Sequence, residues 1–279
     1  MTTLAPTLSQ NSFAIGSRWT TVTRPDGTEQ SIQVPLTEED FLYPQEEDRF
    51  MLTDHHFRAC VYLTEAIEFV CRPRQTIKVF AEHRIDWQKD DLRPNGPDVS
   101  VFDNYPHDID PYRATLPVVD EGAVPLLVIE VTSPSTRHID LGDKMDVYHQ
   151  VGLPHYIIVD MREDEDGEPD PIILVFQHRP GCYNLMEPSE MGTWVDSVQM
   201  WFHVEEKKIV TYDVNRVRIP NRSELDELYL EEKRQRQAEK QRAEAEKQRA
   251  DELARELAEL RSRHSMNGKP LNAKPPENQ

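Results

Sequence analysis

The stretch Val124-Pro125-Leu126-Leu127-Val128-Ile129-Glu130-Val131 decides how this chain is read. Its apolar residues run on without alternating, the pattern of a strand covered on both faces, as in parallel sheets. Ser133-Pro134-Ser135 breaks the run. Residues 139–151 then read as a helix that ends at Gly152, with Pro154 behind it. Residues 155–160 are a second apolar strand. Strand, helix and strand within about 35 residues have the size of a right-handed crossover between parallel strands. An α/β fold is expected.

Upstream, residues 17–23 and 28–35 flank Arg24-Pro25-Asp26-Gly27, a turn signal that predicts a hairpin. Thr37-Glu38-Glu39-Asp40 has the form of an N-cap opening a short helical turn. Residues 53–71 read as a helix capped by Thr53 or Asp54, with Phe57, Cys60, Val61, Leu63, Ala66, Ile67 and Val70 on one apolar face. Residues 77–83 and 97–102 read as strands. Downstream, 162–170 is an acid-rich solvated connection, and 172–178, 182–186 and 193–198 are strands of a mainly antiparallel part. The core is expected to close near 212–220. The expected divisions are an N-terminal extension with the hairpin (1–35), the α/β domain (36–220), a charged helix or coiled coil (221–264) and a disordered tail (265–279), with 1–16 a loose lead-in.

The tail stands apart in composition. Residues 223–263 hold no Gly or Pro, and Ala238-Glu239-Lys240-Gln241-Arg242-Ala243-Glu244 recurs seven residues later as Ala245-Glu246-Lys247-Gln248-Arg249-Ala250-Asp251. Ala250, Leu253, Leu257 and Leu260 follow a coiled-coil spacing. A homodimer through 223–263 and a single helix held by i,i+4 ion pairs are both compatible with it.

The 279-residue chain has a net charge of −19, and its first 220 residues, with 19 Lys+Arg against 38 Asp+Glu, carry all of it. Such a surface argues against a protein that coats nucleic acid, since phosphate binding is driven by Lys and Arg. It leaves room for an enzyme acting in one local groove, with Arg137, Lys144 and the basic residues of the tail as a positive track. Three cysteines, Cys60, Cys71 and Cys182, form no complete disulfide set and no zinc knuckle. Residues 1–16 show no signal-peptide pattern, and no apolar run approaches the roughly 20 residues of a membrane span. A soluble, cytoplasmic protein is expected, without membrane association.

The residues that carry chemistry lie between 97 and 160. Asp98 and Glu130 are carboxylates on two strands. If the strands are neighbours, both can converge on one hard cation such as Mg²⁺, with a backbone carbonyl as third ligand. Such an ion activates water and neutralises charge on a phosphodiester, and a lysine nearby stabilises the developing oxyanions. Ordinary readings stand beside these. Asp98 after Pro97 is also a turn residue. Glu130 at the end of an apolar strand needs a metal or a salt bridge, for instance to an arginine. Asp140 and Lys144, four apart, are by default a surface ion pair.

In the order Pro97-Asp98-Val99, Pro125 to Thr136, Asp140-x-x-x-Lys144-x-x-x-Tyr148 and Gly152-Leu153-Pro154-His155-Tyr156-Ile157-Ile158-Val159-Asp160, these residues closely resemble the Uma-type family of restriction endonucleases within the PD-(D/E)xK nuclease-like superfamily. The resemblance runs from about residue 36 to 204. It implies a restriction-endonuclease-like core, a mixed sheet flanked by helices, and Mg²⁺-dependent (or Mn²⁺-supported) hydrolysis of DNA. It also implies Asp98 and Glu130 as catalytic metal ligands, assisted by Val131. The superfamily's lysine two places after the Glu is here Thr132, so Lys144 on the next helix takes the catalytic role. His56 matches a histidine common at the start of the family's first helix, with helix capping as the equal alternative. Asp54, Glu65 and Glu68 are open choices for a first-helix acid. Asp160 is expected as a helix or loop partner. A different class of function stays in view: a nuclease-fold scaffold, catalytically weak or inactive, acting through its coiled coil.

Overall fold

The computed structural model describes residues 15–50, 52–106, 108–110, 112–133 and 136–267, with side chains through residue 263. The lead-in 1–14, Pro134-Ser135 and the tail from 268 onward lie outside the described residues. The chain divides after Asn221 into two compact units.

The expected hairpin is present. Strands β1 (Gly16–Thr23) and β2 (Glu29–Pro35) pair from Ser17↔Pro35 to Thr23↔Glu29. At their turn Asp26 accepts bonds from the N–H and hydroxyl of Thr28, and Gly27 takes φ +82°, which glycine adopts without cost. Helix α1 (Glu38–Leu42) opens with a capping box in which Thr37 and Asp40 satisfy each other's main-chain N–H. Strand β3 (Arg49–Phe50) adds to β1. Arg18 binds Asp40 at 2.9 Å and Asp48 at 2.5 Å, which ties the hairpin to these segments.

Helix α2 (Asp54–Cys71) starts at Thr53, whose hydroxyl accepts the His56 N–H at 3.1 Å. Its buried face is His56, Ala59, Cys60, Leu63, Ala66, Ile67 and Cys71. Phe57, expected on that face, is 54% exposed; the stripe is turned toward His56, because the sheet beneath α2 receives that residue instead. Strands β4 (Lys78–Ala81), β5 (Arg84–Asp86), β6 (Val99–Asp103), β7 (Thr115–Pro117) and β8 (Val124–Thr132) follow.

The helix expected over 139–151 is two helices, α3 (Arg137–Leu141) and α4 (Asp143–Val151). They break at Gly142 (φ −122°, ψ −95°), and α4 ends at Gly152 in the left-handed conformation. Strand β9 (His155–Asp160) runs parallel to β8, with Glu130 opposite Ile158, so the strand–helix–strand unit is a parallel crossover as read. The acid-rich segment after it is a turn built on Asp164, whose carboxylate accepts the N–H groups of Asp166 and Glu168. Strands β10 (Ile172–Arg179) and β11 (Cys182–Leu185) extend the sheet antiparallel.

The main sheet is therefore mixed, in the order β11-β10-β9-β8-β6-β4. A second, antiparallel sheet holds β12 (Thr193–Val195), β13 (Met200–Glu205), β14 (Lys208–Tyr212) and β15 (Arg218–Ile219). Two cores follow from strand alternation. Leu127, Ile129 and Val131 pack with α2 and with Val195, Met200 and Phe202. Val128, on the opposite face, packs with Trp87, Phe102, Val147, Tyr148 and Tyr156. Helix α5 (Arg222–Asn267) forms the second unit; its described side chains are almost all exposed. No helix among the described residues is long and apolar enough to cross a membrane.

Candidate active site

The carboxyl end of β8 is where the sequence-derived residues meet. Alternation that buries Ile129 and Val131 under α2 sends Glu130 and Thr132 to the other face, under α3 and α4. There Lys144 Nζ lies 2.8 Å from Glu130 Oε2 and 3.0 Å from Asp140 Oδ1. Tyr148, one turn further along α4, donates to Glu130 Oε1 at 2.5 Å. The tyrosine accepts in turn from Asn95 Nδ2 at 2.8 Å, and Asn95 accepts from Trp87 Nε1 at 2.6 Å. Lys144 Nζ also stands over the Phe41 ring, 4.4 Å from its centre.

The surface-pair reading is corrected, and the salt-bridge reading of Glu130 holds with a different cation. Asp140 and Lys144 are not a surface pair, since each is 1% exposed. Glu130, equally buried, is paired with a lysine and a tyrosine rather than an arginine. Lys144 is thereby removed from any positive surface track. A buried charge must be compensated by others. Burial pushes the Glu130 carboxyl up, Lys144 opposes, and Asp98 and Asp140 add to the rise. Burial works against the Lys144 ammonium, but Asp140, Glu130 and Asp98 outweigh it and hold the lysine protonated.

Asp98 is the residue before β6, the strand that pairs antiparallel with β8. Its Oδ2 accepts the Val131 main-chain N–H at 2.7 Å, and its Oδ1 lies 3.2 Å from His56 Nε2. Asp98 is thus fastened to the strand one residue past Glu130, and the two acids are close enough for Asp98 to raise the Glu130 pKa. Burial opposes a charged His56, but Asp98, with Glu130 and Glu82, overrides it and lifts the imidazole above its usual value.

A cavity of about 380 Å³ opens here, lined by His56, Glu82, Asp98, Val131, Ser133 and Thr136 among others, with Phe41 in its wall. Glu130 and Lys144 lie behind this lining. Glu82 holds a left-handed backbone (φ +54°) and donates its N–H to the Asp98 carbonyl; strain of that kind is sustained only where surroundings enforce it. Neither Glu82 nor Asn95 was marked by the sequence, because no short-range pattern links them to Asp98 or Glu130.

Of the first-helix acids, Asp54 pairs with Arg58 on the surface, and Glu65 and Glu68 are exposed; none lines the cavity. Helix α2 contributes His56 instead. Thr132, in the place of the superfamily lysine, donates its hydroxyl to Asp160 at 3.1 Å. Asp160 is a loop and helix partner as expected, bound by Arg162 and Arg137 at 2.8 Å each.

Asp98, Glu82 and the Val131 carbonyl are hard oxygen donors, the kind that Mg²⁺ and Mn²⁺ take. Each Glu130 oxygen accepts one hydrogen bond and keeps a second lone pair. His56 Nε2 is buried and out of hydrogen-bond geometry with any partner. The donor set therefore fits a divalent cation.

A family model described as "Uma2: Putative restriction endonuclease" matches residues 33–203. The chain belongs to the Uma2 family. A search of the curated proteins finds no match for this Uma2 member. Among solved structures, the crystal structure of a "putative nuclease belonging to DUF820" from Anabaena variabilis ATCC 29413 is 19% identical, with a TM-score of 0.40, and the match covers 59% of this chain and 87% of that one.

Proposed function

We propose that this Uma2-family chain is a metal-dependent endonuclease that hydrolyses DNA phosphodiester bonds. The observation that carries the reading is the 2.7 Å bond from the Val131 N–H to Asp98. It fixes one carboxylate in the lining of the cavity, beside the strand residue that follows Glu130. Asp98, Glu130 and the Val131 carbonyl would hold Mg²⁺, with Mn²⁺ as substitute. When bound, such an ion lowers the pKa of water and offsets phosphate charge.

The remaining work falls to the chain. Lys144 and Tyr148 clamp the two Glu130 oxygens and set the orientation of that carboxylate. The lysine's fixed positive charge stabilises negative charge building on phosphate oxygens at the adjacent cavity. Thr132 is committed to Asp160, which leaves the lysine role to Lys144. Arg137 and Arg162, both part-exposed at Asp160, supply positive charge for the DNA backbone where the acidic surface otherwise repels it. Helix α5 pairs two copies through Ala250, Leu253, Leu257 and Leu260. The free thiols Cys60, Cys71 and Cys182 suit work in the reducing cytoplasm.

Purified protein nicks or cuts DNA when Mg²⁺ or Mn²⁺ is added and not in chelator, and Asp98→Ala or Glu130→Ala abolishes it. Cleavage that survives both substitutions sinks the mechanism.

A further inference from the structure

Helix α2 places His56 and Cys60 four residues apart, on the one face turned toward Asp98. One ligand atom from each of His56, Cys60 and Asp98 lies within 4.8 Å of the other two. Cys60 is a free cysteine, 2% exposed, and His56 is 8% exposed. His56 Nε2 is 3.2 Å from Asp98 Oδ1 without hydrogen-bond geometry, so a buried nitrogen is aimed into the cluster with no hydrogen bond to satisfy it. His56 and Asp98 both line the cavity, which gives an ion a way in.

We infer that His56, Cys60 and Asp98 form a second metal site, selective for Zn²⁺ and ions of its class. Sulfur and imidazole discriminate against Mg²⁺ and favour Zn²⁺ or Co²⁺, and three protein ligands with one open position make a four-coordinate centre. Water would complete the open position. Binding forms a metal–sulfur bond and releases the Cys60 thiol proton to solvent. Asp98 is common to this site and to the proposed oxygen-ligand site, so the two ions exclude one another.

The test does not depend on DNA cleavage. Co²⁺ alone is titrated into metal-free, full-length protein and followed by absorption. A near-ultraviolet thiolate-to-cobalt charge-transfer band, with the visible bands of four-coordinate Co²⁺, is expected. Zn²⁺ bleaches the spectrum, and Mg²⁺ at the same concentration does not. Cys60→Ser loses the charge-transfer band. His56→Gln removes a direct ligand and weakens Co²⁺ binding by at least roughly tenfold, the smallest loss seen even for a group that only orients a ligand, and keeps the test readable if the Cys60 variant fails to fold. Cys182→Ser and Glu130→Gln retain the band, the latter even where its nuclease activity is lost. The proposal is overturned by a wild-type spectrum without the band, by a band that persists in Cys60→Ser, or by one that disappears in Cys182→Ser or Glu130→Gln.

Discussion

Lys144 Nζ and Glu130 Oε2 stand 2.8 Å apart, with both residues 1% exposed. A pair so deeply buried owes little net stability to its own attraction, since desolvation of both charges offsets it. Its consequence is that removing one partner alone leaves the other charge uncompensated. Lys144→Met leaves Glu130 and Asp140 without their cation and is expected to cost about 3–5 kcal/mol. Urea unfolding measures it. Combined with Glu130→Gln, the same substitution should cost less than the two single changes summed; full additivity would mean the charges do not interact.

Asp98 is only partly buried and loses one main-chain bond when removed. Asp98→Ala is expected to cost about 1–3 kcal/mol of stability, the cost of an unsatisfied Val131 N–H, while DNA cleavage falls to background. A folded Asp98→Ala protein that cuts DNA at the wild-type rate would remove Asp98 from the chemistry.

His155 opens β9 with its Nδ1 3.0 Å from Ser197 Oγ and its Nε2 buried without a partner. Burial lowers its pKa, with Asp196 opposing in part. The folded state therefore disfavours the proton that the unfolded state accepts near pH 6.5. Its contribution is fully present above that pH and is lost as pH falls toward the depressed folded value. Stability of the wild type should drop more steeply from pH 7.5 to pH 5 than that of His155→Gln. Parallel slopes for the two proteins would contradict this.

Leu253, Leu257 and Leu260 are exposed on α5 at coiled-coil spacing. The full chain is expected to sediment as a dimer, and a chain ending at Asn221 as a monomer. Equal association states would show that α5 does not pair.

Much of the fold was written in short-range signals. The Thr37–Asp40 capping box, the Thr53 cap, the Gly27 turn and the Gly152 helix end all depend on atoms a few bonds apart along the chain. The apolar run of β8 was read correctly as a strand, and it is buried from Leu127 to Thr132. The Gly142 break was missed because an isolated glycine inside a helical pattern is often tolerated. The turn of α2 that exposes Phe57 and buries His56 was missed because neighbouring apolar residues allow more than one stripe, and only the sheet beneath selects among them.

The sequence by itself determined the α/β class and the strand–helix–strand crossover, and it singled out Asp98, Glu130 and Lys144 as site candidates. Tertiary structure decided what those residues touch. Asp98 meets Val131 across 33 residues and Tyr148 meets Asn95 across 53. The packing of α3 and α4 over β8 turned an apparent surface pair, Asp140 and Lys144, into a buried network around Glu130. Local propensity acts through neighbouring residues on the chain, whereas burial and charge pairing are set by which distant segments the folded core brings together.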